Sequence, residues 1–125
     1  MQTLKAGPSR WDILISCPRS AGYPYALAAG LSGVRPGIHL ADGRRINLVA
    51  DALTSLTLRN RLPGIFHPGT LMLDANGEAR GLIDLSSLKP PPGGFGIPLW
   101  IALAVLDPKA PTGIKYLPDT YVMRI

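Results

Sequence analysis

Short apolar runs, separated by glycine, proline, asparagine and aspartate, dominate the pattern of this chain. Runs of this length that alternate between apolar and polar positions, or that are apolar throughout, predict β-strands. We expect strands within residues 10–17, 23–32, 37–49, 69–85, 97–106 and 119–125. This amounts to about eight short strands and no long helix. The pattern therefore predicts an all-β fold, an antiparallel β-sandwich of the immunoglobulin-like or jelly-roll-like kind.

The third of these runs predicts a hairpin whose turn is an Ala-Asp-Gly loop. A two-residue turn at Asp42 and Gly43 would place apolar residues opposite polar ones. A three-residue loop at residues 41–43 instead places Ile38 opposite Ile46, and its glycine supplies the positive φ that other residues resist. We call this loop the ADG turn.

The run at residues 69–85 predicts a second hairpin of the same kind. Its three-residue loop, residues 75–77, contains Asn76 and Gly77, and we call it the ANG turn. Burial of one face of a strand specifies the register strongly. The predicted inward residues are Leu71, Leu73, Ala79, Gly81, Ile83 and Leu85. The predicted outward residues are Met72, Asp74, Glu78, Arg80, Leu82 and Asp84.

Three other stretches complete the predicted architecture. Residues 51–60 fit two interpretations, because Asp51 could cap a helical turn while residues 55–60 alternate like a strand. The segment 89–96, KPPPGGFG, predicts a polyproline-type connection outside any sheet. The apolar run at residues 97–106 predicts a strand buried on both faces, although a short core helix has a similar pattern.

The composition agrees with one folded domain, residues 1–125, because 46% of the residues are hydrophobic and only 17% are charged. The net charge of +5 comes from 13 scattered lysines and arginines, of which only Arg44 and Arg45 are adjacent. Nucleic-acid interfaces combine clustered basic residues with aromatic ones, so no nucleic-acid partner is predicted. The single cysteine, Cys17, is predicted to be a small buried residue of a strand.

Neither a signal peptide nor a membrane span is predicted. The N-terminal sequence MQTLKAGPSR lacks the apolar core of a secretion signal. The longest apolar run, residues 97–106, is far shorter than the roughly 20 residues that a membrane-spanning helix needs.

Asp74, Asn76 and Glu78 are spaced like ligands of a calcium-binding loop. Such a loop also needs a glycine at its sixth position and an acidic residue at its twelfth, where this chain has Ala79 and Leu85. The turn therefore explains this spacing better than a metal ion does. A looser site, made of Asp74 and a carboxylate from another loop, stays open as an alternative.

No other group of residues predicts catalysis or cofactor binding. The two histidines, His39 and His67, have no histidine or cysteine at ligand spacing, so a zinc site is not predicted. The chain has no G-x-S-x-G motif and no base next to its cysteine. We therefore expect a protein that is not an enzyme and that holds no metal or cofactor.

Five segments that cover most of the chain carry turn and core motifs of a known kind: residues 25–32, 37–53, 69–85, 105–114 and 121–125. Through IHLADGRRINL and GTLMLDANGEA in particular, they resemble a β-sandwich module at the C-terminal ends of many large secreted bacterial proteins, especially in planctomycetes and myxobacteria. Those modules usually follow a signal peptide and other domains, whereas this chain starts with the module itself. The resemblance implies an extracellular or cell-surface location and a structural role, and it assigns no catalytic residue.

The leading hypothesis is a non-enzymatic module that associates with other protein subunits, including copies of itself in a homo-oligomer, or with host-protein domains, as a self-assembling part of a surface or filamentous structure. Strand exchange between subunits is easiest at the chain ends, where residues 2–6 and 120–125 predict strands. The predicted assembly strand consists of Tyr121, Val122, Met123, Arg124 and Ile125.

Carbohydrate binding is the alternative hypothesis, because flat aromatic side chains on an exposed face can stack on sugar rings. It requires at least two coplanar aromatic side chains in the open. The candidates are Trp11, Tyr23, Tyr25, Phe66, Phe95, Trp100, Tyr116 and Tyr121. Packing in the core would account for the same residues.

Overall fold

The computed structural model describes all residues from 1 to 125. The chain forms ten strands and one α-helix, joined by loops and three short 3₁₀ turns. The strands are β1 (Gln2–Gly7), β2 (Arg10–Ser16), β3 (Tyr25–Gly30), β4 (Ile38–His39), β5 (Arg45–Ile46), β6 (Phe66–His67), β7 (Glu78–Asp84), β8 (Pro98–Leu106), β9 (Ile114–Tyr116) and β10 (Tyr121–Arg124), and the helix is α1 (Ala52–Leu58). The predicted all-β class is confirmed, with more strands than expected.

Two antiparallel sheets form the sandwich. The first has the strand order β1-β2-β7-β6, and the second has the order β10-β8-β3, with β9 pairing with the far end of β8. If β4, β5 and β9 are left out and the other seven strands are renumbered 1 to 7 along the chain, the strand order is 1-2-5-4 in one sheet and 7-6-3 in the other. This is the strand order of an immunoglobulin constant-type sandwich. Of the two predicted sandwich types, the immunoglobulin-like one is therefore the observed one.

Alternation along the central strands builds the core between the two sheets. In β2, Ile13 and Ile15 are buried while their neighbours are exposed or half-buried. They belong to a single cluster of 16 buried residues that both sheets supply. The middle of β8 is buried on both faces, as predicted, since Ile101, Ala102 and Leu103 are all buried.

Small side chains on the outer face of the second sheet allow a third layer to pack against it. Ala26 and Ala28 of β3, with Ala102 and Ala104 of β8, border a narrow cavity of 70 Å³. The β4–β5 hairpin and α1 line its other side. This layer explains why a strand of an immunoglobulin-like sandwich can be rich in alanine here, because larger side chains would push the third layer away.

The helix α1 settles the two interpretations of residues 51–60. Its N-cap is Asp51, whose carboxylate accepts a hydrogen bond from the Thr54 N–H at 3.1 Å. In return, the Asp51 N–H donates to the Thr54 hydroxyl at 3.2 Å, which completes a capping box. The strand interpretation of residues 55–60 is wrong, because Asp51 starts a helix that packs against β3.

The first hairpin has the predicted register. Ile38 pairs with Ile46, and His39 pairs with Arg45. Across the ADG turn, the Leu40 N–H donates to the Arg44 carbonyl at 2.9 Å. The segment 89–96 lies outside the strands, also as predicted.

The ANG turn forms as predicted, but the hairpin around it does not. The Asp74 N–H donates to the Glu78 carbonyl at 2.9 Å, and the Gly77 N–H donates to the Asp74 carbonyl at 3.0 Å. Beyond these bonds the preceding residues leave β7, because β2 and β6 already occupy both of its edges. Residues 69–73 cross to the other sheet instead. The prediction of a second hairpin over residues 69–85 is therefore wrong outside its turn.

This path changes which side chains are buried. The Leu73 N–H donates to the Tyr23 carbonyl at 2.9 Å, and the Tyr25 N–H donates to the Leu71 carbonyl at 3.1 Å. Leu73 is buried as predicted, but Leu71 is 45% exposed and has a φ of +63°, so its inward assignment is wrong. The other predicted inward residues are buried or half-buried: Ala79, Gly81, Ile83 and Leu85. The predicted outward residues are exposed or half-buried: Met72, Asp74, Glu78, Arg80, Leu82 and Asp84.

None of the helical segments combines the length and the apolar character that a membrane-crossing helix requires.

Candidate functional site

The last strand, β10, forms one edge of the second sheet. It pairs antiparallel with the first half of β8, so that Tyr121 lies opposite Ile101 and Arg124 lies opposite Pro98. No strand pairs with the other edge of β10. The predicted assembly strand is therefore an edge strand, which is the position that strand addition requires.

Alternation along β10 decides which backbone groups face the open edge. The Ile125 N–H donates to the Ile97 carbonyl at 3.0 Å, toward the β8 side. Residues two apart in an antiparallel ladder bond to the same side, so Met123 also bonds toward β8. The backbone groups of Val122 and Arg124 consequently point away from the sheet, where another strand could reach them.

The side chains of β10 also alternate, but between the core face and the outer face of the sheet. Met123 is buried in the core cluster, whereas Val122 is 53% exposed. Ile125, just after the strand, also packs against the core. Removing the whole strand would open the core, but a change at Val122 affects the outer surface only.

The N-terminal strand β1 lies beside β10, and its own edge is partly occupied. The Thr3 N–H donates to the Tyr121 hydroxyl at 3.3 Å, and the two side-chain hydroxyls are 3.0 Å apart. Farther along, the register of β1 shifts between Lys5 and Gly7. Bulges and lysines at a sheet edge hinder pairing with other chains. Of the two terminal strands, β10 therefore has the more open edge.

The opposite edge of the second sheet, formed by β3, is covered by the chain itself. The Tyr25 N–H is occupied by the Leu71 carbonyl, and the Ala29 N–H donates to the Thr57 hydroxyl at 3.0 Å. This leaves β10 as the open edge of that sheet.

The ADG turn is tied to the loop that precedes β9. The Asp42 carboxylate accepts bonds from the Arg44 guanidinium, with Nε at 2.8 Å, and these bonds hold the pKa of the Asp42 carboxyl below its ordinary value. The same guanidinium donates to the carbonyls of Ile114 at 2.6 Å and Pro111 at 3.1 Å. Gly43 has a φ of +90°, as the predicted turn requires.

The ANG turn uses its acidic residue to hold the backbone. The Asp74 carboxylate accepts from the N–H of Asn76 at 2.8 Å and from the N–H of Glu78 at 2.9 Å. Gly77 has a φ of +75°. No group of three or more histidine, cysteine, aspartate or glutamate side chains is arranged to hold a metal ion, and His39 and His67 lie on different strands.

Cys17 and Ser20 line a polar pocket of about 590 Å³ with Lys115. The Lys115 ammonium donates to the Ser20 hydroxyl at 2.9 Å and lies 4.7 Å from the centre of the Tyr23 ring. This is the pair that most resembles a nucleophile with its base, but Ser20 is only 2% exposed. Burial raises the pKa of the Cys17 thiol, which disfavours the reactive thiolate. The burial predicted for Cys17 is confirmed, but its predicted place in a strand is wrong, because β2 ends at Ser16 and Cys17 begins the turn that follows.

The aromatic side chains are divided between the core and several surfaces. Trp11, Tyr25 and Phe66 are buried. Tyr116 and Phe95 are exposed, and they lie at β9 and in the loop before β8 respectively. The remaining ones are half-buried: Tyr23, Trp100 and Tyr121. Carbohydrate binding stays a prediction.

Comparison with protein-family models, with curated proteins and with solved structures finds no match to this chain.

An apolar cleft at one end of the sandwich is a feature that the sequence did not predict. It opens between the two sheets, has a volume of about 390 Å³ and is lined almost entirely by hydrophobic side chains. Its lining comes from many separate segments, so no single stretch of sequence reveals it. The one local signal is the presence of three apolar residues within or next to the proline-rich segment 89–96, which was predicted to lie outside any sheet: Leu88, Phe95 and Ile97.

Proposed function

We propose that this protein is a non-enzymatic association module that joins a second copy of itself by strand pairing along the open edge of β10. The proposal includes an extracellular or cell-surface location, which rests on the family resemblance alone. The observation that carries the association is the set of backbone groups of Val122 and Arg124 that point away from the sheet, on a strand with no outer neighbour.

Pairing of β10 with β10 is the simplest arrangement that satisfies these groups. Two equal strands placed antiparallel are related by a twofold axis, and the interface closes after two chains. Growth into a filament would need a second interface in addition. Since β10 has only four residues, the paired surface is small and the association is expected to be weak.

The test is the mass of the protein in solution across concentration, measured for the wild type and for two variants at position 122. Val122→Pro removes an outward N–H, and proline is tolerated at an edge where that N–H faces solvent. The internal ladder between β10 and β8 keeps its hydrogen bonds. Val122→Thr is the matched control, because it keeps the N–H, the branched shape and the strand propensity.

The wild type and Val122→Thr are expected to form dimers as the concentration rises, and Val122→Pro is expected to stay monomeric with the same circular dichroism spectrum. Measurements up to ~1 mM detect an association free energy of about −4 kcal/mol. A wild type that stays monomeric over this range contradicts the proposal. Dimerisation of a folded Val122→Pro that equals the wild type also contradicts it.

A further inference from the structure

The floor of the apolar cleft consists of residues that belong to the core of the sandwich. Ala29 of β3, Phe66 of β6 and Ile83 of β7 line it, and all three are buried. The cleft is therefore a gap that extends inward between the two sheets, at the end where β3, β7 and β10 finish and β8 begins. Its volume of about 390 Å³ lies in the range of roughly 300–1,000 Å³ that small-molecule sites occupy.

The mouth of the cleft is surrounded by exposed apolar side chains. Leu31, Leu88, Phe95 and Ile97 are all exposed and all line it. Scattered single hydrophobic residues on a surface need no explanation, but several that converge on one concave site indicate that something apolar binds there.

The lining offers no hydrogen-bonding partner to an occupant. Thr57 is its one polar side chain, and its hydroxyl already donates to the Leu53 carbonyl at 2.9 Å and accepts from the Ala29 N–H at 3.0 Å. A peptide backbone inside the cleft would leave its own N–H and C=O groups unpaired, which is costly. A hydrocarbon chain carries no such groups. The cleft therefore suits an alkyl chain better than a protein segment.

Unpaired cations lie next to the mouth. Arg124 donates to the carbonyl of Gly96, which separates Phe95 from Ile97, at 3.0 Å. Lys89 directly follows Leu88 and is exposed. Neither cation forms an ion pair, because the single salt bridge of the chain joins Arg44 to Asp42.

The acidic groups near this end are engaged in local hydrogen bonds. The Asp51 carboxylate accepts from the Leu31 N–H at 2.9 Å as well as capping α1. The Asp84 carboxylate accepts from the backbone and the hydroxyl of Ser86, at 3.0 Å and 2.6 Å. Both carboxylates keep their negative charge, but these bonds hold them against the backbone, so Lys89 and Arg124 are the charged side chains near the mouth that can contact an anionic headgroup.

The geometry points to a binding site for a single-chain anionic amphiphile of the fatty-acid kind, with its alkyl chain in the apolar cleft and its carboxylate near Lys89 and Arg124. The cleft is separate from the outer edge of β10, although Arg124 belongs to that strand, because its side chain lies near the mouth whereas its backbone groups face the open edge. It concerns ligand binding and does not depend on association of the chain.

Titration calorimetry with octanoate, decanoate and laurate tests the proposal below their micelle concentrations. Each added methylene buried in the cleft is worth about 0.8 kcal/mol, so the Kd is expected to fall about fourfold per methylene. Laurate is expected to bind one molecule per chain and about twofold to fivefold more tightly than dodecanol, the effect of one exposed ionic contact. Replacement of both cations, by Lys89→Gln with Arg124→Gln, is expected to remove the difference between these two ligands.

Ile97→Glu places a carboxylate at the mouth and is expected to weaken laurate binding at least about tenfold, because an unpaired charge disfavours entry of an alkyl chain. Met72→Glu is the matched control, since Met72 is also an exposed apolar residue and does not line the cleft. Absence of laurate binding to the wild type overturns the proposal, and so does equal weakening by both variants. Equal affinity for laurate and dodecyltrimethylammonium contradicts the anionic headgroup.

Discussion

The ADG turn and the ANG turn have the same local structure in different surroundings. Each is a three-residue loop closed by two backbone hydrogen bonds. In the ADG turn, the Gly43 N–H donates to the Leu40 carbonyl and the Leu40 N–H donates to the Arg44 carbonyl. In the ANG turn, the Gly77 N–H donates to the Asp74 carbonyl and the Asp74 N–H donates to the Glu78 carbonyl. Both glycines have positive φ, +90° and +75°. As sequence motifs the two loops are nearly interchangeable, because the loop conformation depends only on the few residues that form it.

Their surroundings distinguish them. A Cβ atom at Gly43 would meet nothing within 4 Å, whereas a Cβ at Gly77 would overlap the carbonyl of Cys17 and lie 2.7 Å from Cα of Pro18. The Cys17 N–H also donates to the Gly77 carbonyl at 2.7 Å. The ADG turn is held from outside by the side chain of Arg44, and the ANG turn is held by direct contact between backbones. Two turns with nearly the same sequence can therefore contribute different amounts to the free energy of unfolding.

Gly77→Ala is expected to have the largest effect of the changes considered at the two turns. The new methyl group meets backbone atoms that cannot move without displacing the chain after β2. The expected loss in free energy of unfolding is about 3 kcal/mol, the sum of the cost of overpacking and the strain of a non-glycine residue at positive φ. Urea denaturation measures it. A loss below about 1.5 kcal/mol would mean that the two turns tolerate a side chain equally.

Arg44→Ala is expected to have the second largest effect, because it releases the ADG turn from the carbonyls of Ile114 and Pro111. The side chain is partly exposed, so we expect a loss of about 2 kcal/mol. Arg45→Ala is the matched control, since the Arg45 guanidinium bonds only to the Asn47 side chain. Equal losses for the two variants, measured by thermal unfolding, would show that no specific contact holds the ADG turn.

Gly43→Ala is expected to cost about 1 kcal/mol, the intrinsic strain of a non-glycine residue at positive φ. No atom obstructs the added methyl group, so the local strain is the whole effect. Differential scanning calorimetry of this variant beside Gly77→Ala separates the local contribution of a turn glycine from the tertiary one. A Gly43→Ala variant as unstable as Gly77→Ala would remove the distinction between the turns.

The smallest expected effect is a change in the stability of the protein at acidic pH. Hydrogen bonds from Arg44 lower the pKa of Asp42 from its ordinary value of 3.8. A carboxyl whose pKa is lower in the folded protein adds stability above its unfolded pKa and loses it as the pH falls through the folded value. Below about pH 4, Asp42→Asn should therefore lose less stability than the wild type. Denaturant midpoints between pH 6 and pH 2 measure this, and in an Arg44→Ala background the difference should become smaller, because only the N–H of residue 44 and the Thr112 hydroxyl still bond to the Asp42 carboxylate.

Local patterns predicted much of the framework. Alternation and apolar runs located β2, β3, β8 and β10, and the separation of apolar from polar positions located both turns and the pairing of Ile38 with Ile46. The capping signal at Asp51 was visible in the sequence, but it competed with an equally good strand pattern. Only the packing of α1 against β3 decides between them, since either conformation satisfies the local sequence.

The wrong predictions concern segments whose partner strand the local sequence does not specify. The alternation of Leu71 and Leu73 is compatible with pairing to β7, yet β2 and β6 occupy both edges of that strand. The apolar cleft was equally invisible, because its floor and its mouth come from residues far apart in the chain. The open edge of β10 was expected from its terminal position, and the sheet order explains it through the absence of an outer neighbour.

By itself the sequence determined most of the strands, the three-residue turns and the immunoglobulin-like or jelly-roll-like class, because each depends on side-chain alternation or on the φ of a single glycine; the short strands β6 and β9 were not predicted. The tertiary structure alone decided the immunoglobulin-like strand order, the crossing of residues 69–73 to the other sheet and the burial of Gly77 against Cys17. It also decided where the cleft opens. These features depend on contacts between residues distant in sequence, where several partners satisfy the same local pattern and only simultaneous packing selects one.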